Sequence, residues 1–149
     1  MGLTSEGATS EGVTSEGSTY EILLPGTGEG EVLALTHPIS FWGGVDPRTG
    51  DIIDARHPQR GECVAGRVLA LPGTIGSSSA SAVLLELVHA GKAPAAILMT
   101  EPDAILLLGL VVAREMGWAT PPALRVPLER QRALAGRVRV DETGAVRRA

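Results

Sequence analysis

The sequence predicts an α/β or β/β/α domain, a compact β core with flanking helices. Three observations predict it. From residue 64 onward, apolar strand-like runs alternate with helical ones: strand, helix, strand, helix, strand. Apolar residues make up 44% of the chain and aromatics only 3%, so the core must be built from Val, Leu, Ile and Ala. Nineteen glycines and ten prolines supply many tight turns. The length of 149 residues suits one domain. The first half is β-rich with irregular loops, unlike a regular doubly wound sheet.

The chain opens on a repeat. Thr4-Ser5-Glu6-Gly7, Thr9-Ser10-Glu11-Gly12 and Thr14-Ser15-Glu16-Gly17 recur with a period of five. These units have almost nothing to bury, so residues 1–21 read as a disordered acidic tail. The folded domain is expected over residues 22–149. A short strand, Glu31-Val32-Leu33-Ala34-Leu35, leads into turn-forming sequence holding Ser40, Phe41, Trp42, Gly43 and Gly44. That segment reads either as a rigid loop that packs closely on something else, or as a core plug with a glycine turn. A polar loop follows, with Asp54, Arg56, His57, Arg60 and Glu62. Arg56 and Arg60 suit a carboxylate or phosphate clamp, or simple solvation.

Residues 64–71 read as a buried strand ending at Pro72-Gly73. A Gly/Ser turn then opens a helix whose stripe is Val83, Leu84, Leu87 and Val88. Ala95-Ala96-Ile97-Leu98-Met99 is a second buried strand. Glu101 and Asp103 begin a helix that is apolar nearly all round to Met116, expected to be sandwiched or to cover a barrel end. Leu124-Arg125-Val126 is a third strand, and residues 134–147 form a terminal hairpin.

Charge and cysteine usage exclude several functions. The net charge is −4, but five of the seventeen acids and none of the thirteen bases lie in residues 1–30, so the rest is nearly neutral. No basic stripe interleaved with aromatics is present, so no nucleic-acid partner is expected. Cys63 stands alone, which excludes an internal disulfide and a Cys-only metal cage, and points to a reducing, cytoplasmic setting. No secretory signal is recognisable. The longest apolar run, residues 104–113, is too short for a bilayer. His37, His57, His89 and Cys63 do not fall at ligand spacings, so no metal or cofactor is expected to bind this chain.

Chemistry concentrates in Gly76-Ser77-Ser78-Ser79. Free N–H groups at a helix start and several hydroxyls make a platform suited to an anion. A serine at this place is also an ordinary helix cap. Four hydroxyls (Ser77, Ser78, Ser79, Ser81) exceed what a cap requires. No Gly-x-Ser-x-Gly elbow and no Gly-Lys-Ser/Thr is present, which argues against a serine hydrolase and a Walker loop.

Taken together, Pro38-Ile39-Ser40-Phe41-Trp42-Gly43-Gly44-Val45-Asp46-Pro47, His57-Pro58, Gly61-Glu62, Leu71-Pro72, Gly76-Ser77-Ser78-Ser79 and Gly91-Lys92-Ala93-Pro94 resemble the swivel domain of the aconitase X family. The resemblance covers roughly residues 31–126. It implies a swivelling β/β/α domain of the aconitase type. It also implies a hydro-lyase: bacterial members dehydrate cis-3-hydroxy-L-proline to Δ1-pyrroline-2-carboxylate, and archaeal ones a phosphorylated mevalonate. The chain is then expected to be the small subunit of a heterodimer, its large subunit holding an iron or iron–sulfur centre on cysteines. The resemblance implies Ser77 as the catalytic serine. Gly76, Ser78, Ser79, Ser40 and His57 are the expected contacts to a small hydroxy-acid substrate. The chain departs from the family where Thr74-Ile75-Gly76 lacks the usual basic residue before the serine. It departs again where Ala80 replaces a frequent glycine, and where Ser79 stands in the place of aconitase's arginine. The missing cation favours an amino-acid substrate over a phosphorylated one. A non-catalytic anion-binding module is the reading from a different class.

Overall fold

The computed structural model describes residues 17–149. Its elements run β1 (Ser18–Thr19), β2 (Glu21–Leu24), β3 (Gly28–Ala34), β4 (Val68–Leu71), α1 (Ala80–His89), β5 (Ala96–Met99), α2 (Ala104–Glu115), β6 (Ala123–Arg125), α3 (Leu128–Ala133), β7 (Arg137–Val140) and β8 (Ala145–Arg148). The α/β class with flanking helices is as expected. The Thr-Ser-Glu-Gly repeat lies outside the described residues, up to residue 16. The expected tail boundary moves, because backbone pairing already begins at Ser18 rather than at Ile22. Polar side chains do not oppose this, since an edge strand is recruited through its N–H and C=O groups.

The strands form one ladder, β1-β8-β7-β3-β4-β5-β6-β2. β3, β4, β5 and β6 are mutually parallel, and the remaining pairings are antiparallel. β1 and β2 stand at opposite ends of the ladder, yet only Tyr20 separates them in the chain. The ladder therefore closes on itself into a barrel. Two extended segments permit this by changing partner along their length. Residues 18–24 pair first with β8 and then with β6. Strand β3 pairs with β7 through its first half and with β4 through its second. Where β3 changes partner its backbone runs against other backbone. A Cβ on Gly28 would overlap the Ala95 carbonyl, and one on Gly30 the Gly66 carbonyl.

Side-chain alternation sorts the core into two parts. Val68, Ala70, Ala96, Leu98, Val138 and Val146 fill the barrel interior. Leu69, Leu71, Ile97 and Met99 face outward and are covered by α1 and α2. Leu84 and Leu87 of α1, with Leu106 and Leu110 of α2, are fully buried in that layer, each contributing about 1.5–3 kcal/mol. Of the two expectations for α2, sandwiched or covering the barrel, the first is not met: it packs on the barrel's outer layer, and Ile105, Leu108, Val111 and Val112 leave its other side exposed. No helix among the described residues is long and apolar enough to cross a membrane.

Helix α3 has no apolar stripe in the sequence and was not expected. It brings one buried amide, Gln131, to the C-terminal end of the barrel. Gln131 Nε2 donates towards Leu71 O (3.0 Å), Val126 O (3.1 Å) and Thr100 Oγ1 (3.1 Å). It gives Val126 O a donor and adds one to Leu71 O, which also accepts from Thr100 N–H (3.3 Å). Replacing it with Leu keeps roughly the volume and takes the side-chain donor from Val126 O, so Gln131→Leu is expected to lower unfolding free energy by about 1–3 kcal/mol in urea titrations.

On the outer wall, Glu29 accepts from Arg137 Nε (2.9 Å) and Arg139 Nε (3.2 Å). These hydrogen bonds, with the charges behind them, hold its carboxyl below the ordinary glutamate range. A folded-state value below the unfolded one stabilises the fold above the carboxylate range. That contribution is lost as pH falls through the folded value. Glu29→Gln is therefore expected to be less stable than the wild type at neutral pH. The difference should close on acidification, and shrink in high salt, when melting is followed against pH.

Candidate active site

The parallel strands bring the site loops together. β3, β4 and β5 all end on the same side of the barrel, and the segments that follow each strand meet there. After β3, the chain makes a tight turn at Phe41–Gly44. Trp42 (φ −73°, ψ 113°) and Gly43 (φ 81°, ψ −13°) give it type II geometry, which requires a glycine at the positive φ. Phe41 is the core plug of the two readings, and Trp42 stands 60% exposed. After β4 comes the Gly/Ser loop. After β5 come Thr100 and Asp103.

Backbone and side-chain bonds tie these segments. Ile75 N–H donates to Ile39 O (3.0 Å), where Thr74 and Ile39 bridge in parallel. Thr74 Oγ1 donates to Asp103 Oδ2 (2.6 Å), while the other Asp103 oxygen caps α2 by accepting from Leu106 N–H (3.0 Å). One carboxylate thus starts a helix and anchors the serine loop. Asp103 reads in the sequence only as a helix-start acid, and its second partner is a tertiary contact.

The serines differ in what they do. Ser79 is the N-cap residue of α1 by position, but its side chain makes no capping bond. Ser77 Oγ instead accepts from Ser79 N–H (3.2 Å), and Ser77 O accepts from Ala80 N–H (3.1 Å). Ser77 and Ser79 are half-buried, while Gly76 and Ser78 are exposed. Ser77 is therefore the hydroxyl whose oxygen is held by an N–H at a helix N-terminus. That donor and the helix dipole favour negative charge there.

Two depressions flank the strip from Thr74 to Gly76. One, of about 560 Å³, is lined by His37, Pro38, Asp54, Arg56, His57 and Ile75 among others. The other, of about 590 Å³, is lined by residues that include Thr74, Gly76, Asp103 and Ile105. Ser40 neighbours the strip through Ile39, and its hydroxyl donates to Trp42 O (3.1 Å). His57 is brought to the first depression, but both ring nitrogens are in use. Nδ1 accepts from Gln59 N–H (3.0 Å), which leaves Nε2–H to donate to His37 O (3.0 Å). His57 therefore holds the loop together and offers the depression its ring rather than a free nitrogen. Asp54, in the same wall, carried no role in the sequence reading, because nothing local aligns it with Ile75. Among the described residues no group of three His, Cys, Asp or Glu side chains comes together to hold a metal.

Comparison with known proteins agrees with this architecture. The family model for the aconitase X swivel domain matches residues 18–147. A cis-3-hydroxy-L-proline dehydratase of Pseudomonas aeruginosa is 53% identical over 94 residues, which are 63% of this chain and 16% of that protein. A phosphomevalonate dehydratase small subunit of Methanopyrus kandleri is 48% identical over 84 residues, covering 56% of this chain and 62% of that one. The crystal structure of Thermococcus kodakaraensis aconitase X in its holo-form superposes with a TM-score of 0.75 at 34% identity, over 87% of this chain and 95% of the matched chain.

Thr74→Val removes the tie to Asp103 and leaves the cap of α2 in place. Amide exchange across residues 75–79 is expected to accelerate, with exchange in β4 and β5 unchanged.

Proposed function

The chain belongs to the aconitase X swivel-domain family, and from that premise we propose that it is the small subunit of a hydro-lyase that removes water from cis-3-hydroxy-L-proline. The observation that carries the chemistry is the hydrogen bond from Ser79 N–H to Ser77 Oγ at the start of α1. The reaction needs a base for the α-proton and an acid for the leaving hydroxyl. Ser77 Oγ takes the α-proton as an alkoxide. The N–H held against it and the helix N-terminus lower the cost of that charge. The released electron pair forms the C2–C3 double bond while the C3–O bond breaks, and the hydroxyl takes a proton from an acid assigned to the large partner and leaves as water. The resulting enamine tautomerises to Δ1-pyrroline-2-carboxylate. Ser78 and the exposed N–H groups of the loop orient the substrate carboxylate.

The chain spans 16% of the length of the bacterial relative, so the remaining machinery is assigned to a large partner. The described residues do not fit as a metal cage, and an iron or iron–sulfur centre is assigned to that partner too. The part played by this chain is proton transfer and substrate orientation. The second reading is the small subunit of a phosphomevalonate dehydratase, favoured by the larger share of those relatives that the chain matches. Against it stands the lack of a cation in Thr74-Ile75-Gly76.

The test is reconstitution with the large partner and assay on both substrates. Ser77→Ala is expected to cut kcat on hydroxyproline by about 10²–10⁴-fold without loss of assembly. Turnover within a few-fold of wild type would remove Ser77 from the base role. Dehydration by this chain alone would remove the partner.

A further inference from the structure

The first depression holds two opposite charges that form no ion pair among the described residues. Arg56 lines it, and its guanidinium makes no hydrogen bond or ion pair among the described residues. Arg139, the cation of another depression, is paired with Glu29. Asp54 lines the same wall. Its Oδ1 accepts from Arg56 N–H (2.9 Å), but its carboxylate forms no ion pair with the Arg56 side chain. The walls between are apolar: Pro38, Ala55, Pro58 and Ile75, the last 55% exposed. An unpaired cation and an anion two residues from it, lining a depression with apolar neighbours, do not suit a polyanion, which Asp54 would repel. They suit a small ring that carries both charges itself. The depression also borders the serine loop, because Ile75 is two residues before Ser77.

We propose that this depression is the subsite for a zwitterionic cyclic amino acid, with Arg56 joining Ser78 and the loop N–H groups on its carboxylate and Asp54 holding its ring ammonium. Ile75 and the prolines pack against the ring methylenes. The subsite deepens the hydroxyproline reading and rests on it. Asp54 and Arg56 are then specificity-determining residues: they decide which acid reaches Ser77 and leave the proton transfer to it.

The test separates the two claims by measuring binding apart from turnover. The reconstituted two-chain enzyme is titrated by calorimetry with L-proline and with cyclopentanecarboxylate, which has the same ring size and carboxylate but no ammonium. The wild type is expected to bind proline more tightly. Asp54→Asn keeps the acceptor for Arg56 N–H, and is expected to weaken proline about tenfold while leaving cyclopentanecarboxylate unchanged. Arg56→Gln is expected to weaken both about tenfold, with Arg56→Lys in between. Equal loss of both ligands in Asp54→Asn, or no loss of either in Arg56→Gln, overturns the subsite. So does a wild type that binds neither ligand. Proline discrimination that follows Asp54, in an enzyme that turns over only the phosphorylated substrate, keeps the subsite and overturns the hydroxyproline reading.

Discussion

Everything in this domain depends on closing a sheet whose strands are too short to close it singly. Backbone N–H and C=O groups at an open edge need partners. Here the two edges are joined by one extended segment, residues 18–24, which pairs with β8 at its start and β6 at its end. β3 performs the same change of partner on the opposite side. The crossing leaves no room for side chains, hence Gly28 and Gly30. The enclosed space is narrow, and it is filled by Val, Ala and Leu rather than by large aromatic rings. The scarcity of aromatics is in keeping with that interior.

Closure also decides where the chemistry sits. Four parallel strands end on one side, so the loops that follow three of them are forced together, and α1 and α2 both begin there. In parallel sheets this is the side where helix N-termini and loop N–H groups collect. The Ile39–Ile75 and Thr74–Asp103 bonds turn neighbouring loops into one surface. Ser77 receives its N–H from within its own turn, but the position of that turn is held by residues from two other segments. Gln131 closes the barrel beneath them.

Much of this was legible in the sequence for local reasons. The strands at 68–71 and 96–99 are continuous apolar runs, as a strand buried on both faces demands. α1 shows its stripe, and Asp103 marks the start of α2. The Gly/Ser loop declares itself by composition. What stayed hidden was hidden for physical causes. α3 reads LERQRA, with no apolar periodicity, because its one buried side chain is an amide that answers carbonyls far away in the chain. β1 is two polar residues, recruited through backbone alone. His57 reads as a substrate contact through the family resemblance of His57-Pro58. Only the fold reveals that His37 O and Gln59 N–H occupy its nitrogens.

By itself the sequence determined the α/β class, the serine-bearing turn between a buried strand and a helix, the absence of a cation beside Ser77, and the family resemblance. These follow from neighbours within a few residues: periodicity, turn chemistry and side-chain type. Tertiary structure decided which serine oxygen meets a backbone donor, which carboxylate anchors the loop, and that Arg56 and Asp54 share a wall with Ile75. The last two join residues about twenty to thirty positions apart. Local propensity carries no information about such pairs, because barrel closure brings them together rather than any interaction along the chain.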